Sequence, residues 1–371
     1  MNQVGKPVLG IDLIGRQHEL QLVKQLLLAG QSVVIIAPRR MGKTSLMIEL
    51  IEQLKAENYF TINIDLFSTS NIPTLSRRIV ESIFSNKKLD QYFRQALVNI
   101  ADVFKNISFK SEIEDFSFIL EFESKAKNAP LELLQDSINM IDSYAIKHNK
   151  MMLAAFDEFG DIKKLDSENI VKLFRSVIQL QKNTVYIFTG SYESIMNELF
   201  VSKKAPFYRM ARIIELGNIS HDDFLPYIQK TIKDNAIETD SSRAEEILAF
   251  TDGHPYYTQL YLQQLVISHK MNPDYQIPTH NQMIEQLLVV EKSFLEKNWE
   301  DISKKREDRI VLSHIASGVS SLYSVIDSKS VNVARALTSL KNQGSFTHTK
   351  RRESLREGTM KQTPPIYLKQ N

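Results

Sequence analysis

The densest chemical signal in the chain is the run Ala37-Pro38-Arg39-Arg40-Met41-Gly42-Lys43-Thr44-Ser45. It follows the spacing G-x-x-x-x-G-K-[ST], with Ala37 standing where the first glycine would be. A loop of this type turns backbone N–H groups inward and ends at a helix N-terminus, which suits a polyphosphate. Gly42 would let the backbone approach closely, and Lys43 would reach the β- and γ-phosphates. Thr44 would offer its hydroxyl to magnesium. Ser45 would face the α-phosphate side. The Ala37 methyl group is tolerable provided the backbone there is not left-handed. Gly-Lys-Thr by itself is a weak signal. Its context specifies it, because a β-branched run, Val33-Val34-Ile35-Ile36, leads in and an amphipathic helix from Thr44 to Glu57 leads out. The expected ligands are ATP and Mg2+.

A second signal is Met151 to Phe156 followed by Asp157-Glu158, an apolar strand ending in two carboxylates. Asp157 would hold magnesium directly or through water, and Glu158 would orient or deprotonate the attacking water. The plain alternative is a strand followed by a solvated acidic turn, and the upstream loop weighs against it. Thr184 to Ser191 is again a strand ending in hydroxyl residues. Ser191 is the first candidate for a contact to the γ-phosphate and water, and Thr189 the second. A strand end with a hydroxyl turn is the alternative. Arg209 and Arg212 follow a loop, Ser202 to Phe207, and either could serve as a γ-phosphate sensor or finger, in cis or in trans. Both could equally be ordinary surface arginines. Gly253-His254-Pro255 reads as a helix entry, with proline suited to the first turn. No metal-ligand cluster beyond the magnesium site, and no Ser-His-Asp arrangement, is readable from spacing.

These residues need elements to position them. Apolar residues at helical spacing run from Leu20 to Leu28 and stop at Gly30. The strand at Ser32–Ala37, the helix Thr44–Glu57 and a strand Tyr59–Phe67 make a βαβ unit, which points to an α/β fold with a parallel sheet. A helix is expected over Pro73–Phe84 and a longer one over Leu131–Lys147. Ile170–Gln181 reads as a helix between the strands Met151–Phe156 and Thr184–Thr189. Period-two spacing of Phe116, Phe118, Leu120 and Phe122 suggests a small hairpin inserted within Lys105–Glu123. Beyond Leu216 the pattern turns wholly helical, at His221–Asp234, Ser241–Phe250 and Pro255–His269. From about Asp301 the chain reads as a winged helix. Its helices are Asp308–Ala316, Ser321–Ile326 and one capped by Ser330 that runs to about Asn342. In the last, Val331, Ala334, Leu337 and Leu340 face inward, and Asn332, Arg335 and Ser339 outward. Phe346–Lys350 and Ile366–Lys369 would be the wing strands. The expected division is 1–217, 218–300 and 301–371.

Composition sets the frame. The chain has 371 residues, 43% hydrophobic and 24% charged, and no cysteine, so disulfides and thiolate metal sites are excluded. Its length favours two or three domains. Met1 to Gly10 lacks the apolar core of a signal peptide, and the apolar runs are too short for a membrane span, so a cytoplasmic protein is expected. Net charge is +2, yet from Lys304 onward 13 Lys and Arg stand against 5 Asp and Glu, a local balance of +8. A basic C-terminal module could bind nucleic acid, in which case DNA is the partner, or it could be basic for no specific reason.

With these residues in view, the chain resembles the archaeal-type ATPases of the STAND branch of AAA+ proteins. The resemblance opens at Leu13-Ile14-Gly15-Arg16-Gln17-His18-Glu19-Leu20, similar to the family's Gly-Arg box, and implies that Gly15 and Arg16 lie by the adenine or ribose. Gln17 stands where glutamate is commoner. It continues through Pro38 to Leu46, through Asp157-Glu158-Phe159, through Thr189-Gly190-Ser191 and through Ala205-Pro206-Phe207-Tyr208-Arg209. At Gly253-His254-Pro255-Tyr256 it implies that Pro255 packs on the base. It further implies a P-loop ATPase core, a helical lid and a winged helix that act as a nucleotide-dependent switch. Self-association is compatible with it. Asn371 follows the wing closely, where the family often carries a further domain, so the effector is expected to be absent or supplied by a protein partner.

Overall fold

A computed structural model describes residues 5–85, 107–110, 119–122, 129–165, 168–191, 194–271, 277–319, 321–327 and 331–342. The strands are β1 (Val33–Ile36), β2 (Phe60–Asp65), β3 (Ile107–Lys110), β4 (Ile119–Phe122), β5 (Met152–Asp157), β6 (Thr184–Gly190) and β7 (Arg212–Glu215). Five of them form one sheet in the order β2-β5-β6-β1-β7, with every pairing parallel. β1, β5 and β6 are buried along their whole length, which is why they read as continuous apolar runs rather than alternating ones. β3 and β4 pair antiparallel, Ile107 opposite Phe122, as the expected hairpin. Phe116 and Phe118 lie outside the described residues.

Helices α1 (Gln17–Leu28) and α2 (Lys43–Ala56) cover one face of the sheet. Helices α3 (Ile72–Ser85), α4 (Pro130–Lys147) and α5 (Asn169–Ile178) cover the other. Successive strand side chains alternate between these layers: Leu153 and Ala155 join the first core, Ala154 and Phe156 the second. The result is a three-layer α/β unit of the P-loop type. Asp142 on α4 ties the layers together by accepting hydrogen bonds from Asn183 N at 2.9 Å and Thr184 Oγ1 at 2.8 Å at the start of β6.

β7 was not expected from the sequence. Only Ile213 and Ile214 are apolar in it, charged residues flank them, and only Ile214 is buried. An edge strand needs just one covered position, so it leaves little pattern.

Four helices build a second unit: α6 (His221–Asp234), α7 (Arg243–Thr251), α8 (Pro255–Met271) and α9 (His280–Ile302). They enclose their own core around Phe224, Ile247, Tyr261, Leu265 and Met283. α9 starts at a capping box in which Thr279 Oγ1 and the Gln282 side chain satisfy each other's backbone N–H groups. Three further helices, α10 (Arg306–Ala316), α11 (Leu322–Val325) and α12 (Val333–Asn342), share a small core of Val311, Leu312, Leu322, Val333, Ala336 and Leu340.

Two expectations for α12 change. Its first turn is capped from Asn332, whose Oδ1 accepts from Arg335 N at 2.9 Å, while Ser330 lies outside the described residues. The helix therefore starts at Val333. Its inward stripe is Val333, Ala336, Leu337 and Leu340, and Ala334 is exposed. Ser339 donates to Asp308 Oδ2 at 2.8 Å and accepts from Lys305, so it faces α10 rather than open solvent. The proposed wing segments Phe346–Lys350 and Ile366–Lys369 lie outside the described residues. Among the described residues no helix is long and apolar enough to cross a membrane.

Candidate active site

The C-terminal ends of β1, β5 and β6 meet on one edge of the sheet, where open α/β sheets bind ligands. β1 delivers Ala37 to that edge with an ordinary backbone, since Ala37 is not among the positive-φ residues. This is the condition under which its methyl group fits. The loop then turns through two left-handed residues, Arg40 at φ 68° and Gly42 at φ 89°, before α2 begins at Lys43. Nothing lies within 4 Å of a Cβ built on Gly42, so this glycine is required by its backbone angle and not by crowding. The first turn of α2 opens on the loop, and its N–H groups, which a helix leaves without intrahelical acceptors, bring a partial positive charge to it.

Lys43 is buried. Its ammonium donates to Ala37 O at 3.0 Å and Pro38 O at 3.1 Å, spanning the loop it belongs to. Thr44 Oγ1 donates to Asp157 Oδ2 at 2.9 Å, across 113 residues of sequence. A hydroxyl and a carboxylate oxygen so placed are the hard-oxygen donors that magnesium takes alongside phosphate oxygens and water. Among the described residues no three His, Asp or Glu side chains converge. The residues present thus fit a nucleotide phosphate chain with its magnesium ion. Lys43 and the loop N–H groups would hold the phosphates, and Thr44 and Asp157 the ion. Bound magnesium supplies charge neutralisation on the phosphate oxygens.

β6 lies between β1 and β5, so its tip enters the space between the loop and the two carboxylates. Thr189 is fully buried and its hydroxyl bonds Asp157 Oδ1. Asp157 therefore has one oxygen bonded by Thr189 and the other by Thr44. Thr189 was only the second candidate at this tip, and its contact with Asp157 was not anticipated. Glu158 adopts a left-handed backbone, φ 48°, which re-aims its side chain away from the strand. Its carboxylate lies 3.4 Å from both Ser191 N and Ser191 Oγ. Ser191 is thus brought to Glu158.

Ser45 is buried, and its Oγ accepts from Val8 N at 3.1 Å, which ties the N-terminal segment to the start of α2. Arg16 is 2% exposed. Its guanidinium donates to Met41 O at 3.2 Å, Gly217 O at 2.6 Å and Glu19 at 3.1 Å. Burial pulls its pKa down, and the Glu19 and Asp223 carboxylates act against that. The side chain is committed to stapling the loop to the segment that leads from β7 toward the helical unit. Gly15 turns at φ +62° beside Ile219 and Asp223, at the same junction. Pro38 is half-buried and Arg39 exposed along the loop's outer side. Arg40 points away from the loop interior toward α8 and α9. Pro255 opens α8, and His254 before it is held neutral, with a pKa near 4.

Arg209 and Arg212 are not brought to this site. Arg212 is paired with Val33, at the opposite end of β1 from the loop, and Arg209 precedes it in an exposed turn at φ 59°. Arg212 is therefore level with the end of β1 remote from the phosphate loop.

Residues 13–260 match the family described as an ATPase domain predominantly from Archaea. The chain belongs to that family. This ATPase is similar in fold to the Walker-type ATPase of Pyrococcus abyssi, at 16% identity and a TM-score of 0.67, over 98% of this chain and 97% of that one. It is also similar to the ORC2 protein of Aeropyrum pernix, solved in ADPNP and ADP complexes, at 11% identity and a TM-score of 0.50, over 91% and 88% of the two chains. No curated protein matches the chain in sequence. The family and the phosphate loop make it a P-loop ATPase, and ATP its ligand.

Proposed function

We propose that this ATPase works as a nucleotide-dependent regulatory switch of the STAND type, hydrolysing ATP to ADP and phosphate with magnesium. The observation that carries the catalytic part is the convergence of Thr44, Asp157 and Glu158 at the foot of the loop. In this reading Lys43 binds the β- and γ-phosphates, and Thr44 and Asp157 hold magnesium. Glu158 activates water, with Ser191 setting the direction of its carboxylate. The backbone from Pro38 to Ser45 lines the phosphates, with the Arg40 side chain turned away from them, while Gly15, Arg16 and Pro255 border the base side. The switch part is supported by Arg16 and Ile219, which join the loop and the Gly15 turn to the helical unit. Residues 1–217 would be the ATPase core, 218–300 the lid and 301–371 a winged helix. A cytoplasmic location and a protein partner that receives the signal complete the proposal.

The test is magnesium-dependent ATP turnover by the purified protein beside Lys43→Ala and Glu158→Gln. Both substitutions are expected to cut turnover by at least about 100-fold, and Glu158→Gln should still bind ATP. Turnover that survives Glu158→Gln would overturn the assignment of the base. Wild type that binds ATP without turning it over would make the protein an ATP-bound scaffold. The basic C-terminal charge supports a second reading, in which 301–371 binds DNA. Affinity for duplex DNA that does not fall with salt, or that survives Arg335→Ala unchanged, would defeat it.

A further inference from the structure

The side chain of Arg40 leaves the phosphate loop and enters a cage made by the helical unit. Its guanidinium carbon lies 4.0 Å from the centre of the Tyr256 ring and 4.1 Å from that of Phe294. Its Nη1 donates to Glu291 Oε2 at 3.1 Å. The other Glu291 oxygen accepts from Tyr256 Oη at 2.8 Å. Glu291 is 8% exposed, and its carboxylate is paired with the Arg40 guanidinium and the Tyr256 phenol. Glu291 and Phe294 stand three apart on α9 and share a face, and Tyr256 comes from the first turn of α8. A planar cation held between two rings with a carboxylate at its edge uses what arginine offers and lysine does not.

The backbone of Arg40 is the other half of the observation. It holds φ 68° at a residue with a Cβ, two positions before the glycine that starts α2 and three before Lys43. That region is disfavoured for ordinary residues, and such angles persist where surrounding contacts over-determine them. The cage is such a contact. The inward direction of the loop's N–H groups depends on these torsions.

We propose that Arg40 is a positioning residue, through which the seating of α8 and α9 on the phosphate loop sets the affinity for nucleotide. The proposal rests on the ATP-binding reading of the loop and adds the route by which the helical unit acts on it. Seated helices hold Arg40 and keep the loop in its receptive shape. By linkage, bound phosphate favours the seated helices by the same factor. Glu291 lies 251 residues from Arg40 in sequence, and its carboxylate reaches the loop through the Arg40 guanidinium.

The experiment uses the full chain and a fluorescent ATP analogue, with turnover measured in parallel. Wild type is compared with Glu291→Gln, Phe294→Leu, Arg40→Lys and the double variant Arg40→Lys/Glu291→Gln, each checked for a cooperative melt. Glu291→Gln and Arg40→Lys are each expected to weaken binding about tenfold. KM should rise while kcat stays within about twofold of wild type. The double variant should be no weaker than the poorer single, because both break one link. If Glu291→Gln fails to fold, Phe294→Leu leaves the ion pair in place and must still weaken binding. Wild-type affinity in folded Glu291→Gln or Phe294→Leu, or losses that add in the double variant, would overturn the proposal. Wild type that binds no nucleotide would remove the ATP reading itself, and this inference with it.

Discussion

His254 shows what burial does to one side chain beside this site. The side chain is half-buried, and this desolvation, with the Arg40 and Arg16 charges, lowers its pKa from the ordinary 6.5 to about 4. A histidine whose folded value is depressed takes up protons more readily when unfolded. Stability is therefore intact above pH 6.5 and declines as pH falls toward 4. Linkage puts the loss at about 2 kcal/mol between pH 7 and pH 5. Thermal or urea melts across that range should show the decline, and His254→Gln should flatten it by about this amount. An unchanged slope in the variant would place the sensitivity elsewhere. The same residue shows the limit of reading side chains from sequence. Lys43, Thr44, Asp157 and Glu158 were legible because their types and spacing state their chemistry. His254, Arg16 and Arg40 were not, because their neighbours decide their state. Gly217 and Glu291, which engage the two arginines, lie 201 and 251 residues away.

At the scale of elements, the interior of the sheet was legible and its edge was not. β1, β5 and β6 announce themselves as unbroken apolar runs because both their faces are covered, whereas β7 buries little. The order of the strands could not be read at all, yet it does the positioning. Only with β6 between β1 and β5 does Thr189 reach Asp157. The junction to the helical unit depends on another feature that sequence leaves ambiguous. Gly253 looked like a simple helix entry, but it sits at φ +68° with Ile219 O only 2.2 Å from where its Cβ would be. Its carbonyl accepts from Ile219 N at 3.0 Å, so the two segments are in backbone contact. A methyl group here meets both an unfavourable torsion and a carbonyl that cannot move without breaking that contact. Gly253→Ala is expected to cost about 3 kcal/mol, measured by urea unfolding. It should also shift the helical unit on the core, since Ile219 packs against Gly15 as well. A variant as stable as wild type would show that the junction is loose.

For the whole molecule, the parallel register decides what Arg209 and Arg212 can reach. Glu215 on β7 is level with Ile36, where the phosphate loop begins, and Arg212 is level with Val33. Three strand residues, about 10 Å, separate those levels. A cis contact with the γ-phosphate would require β7 to leave the sheet. A catalytic contribution from Arg212 therefore needs the phosphate site of a second copy of the chain, toward which an exposed side chain on an edge strand can project, and Arg209 stands in the exposed turn just before it. This makes the prediction one about assembly. Turnover per protomer should rise with protein concentration, and sedimentation with ATP should show a larger species than without. Arg209→Ala/Arg212→Ala keeps its own phosphate site, and Lys43→Ala keeps its arginines. Each alone should be slow, and an equal mixture should exceed the sum of the two, because one composite site in the mixed assembly has a full set of groups. Turnover independent of concentration and untouched by the double arginine substitution would confine the chemistry to Lys43, Thr44, Asp157 and Glu158 within one chain.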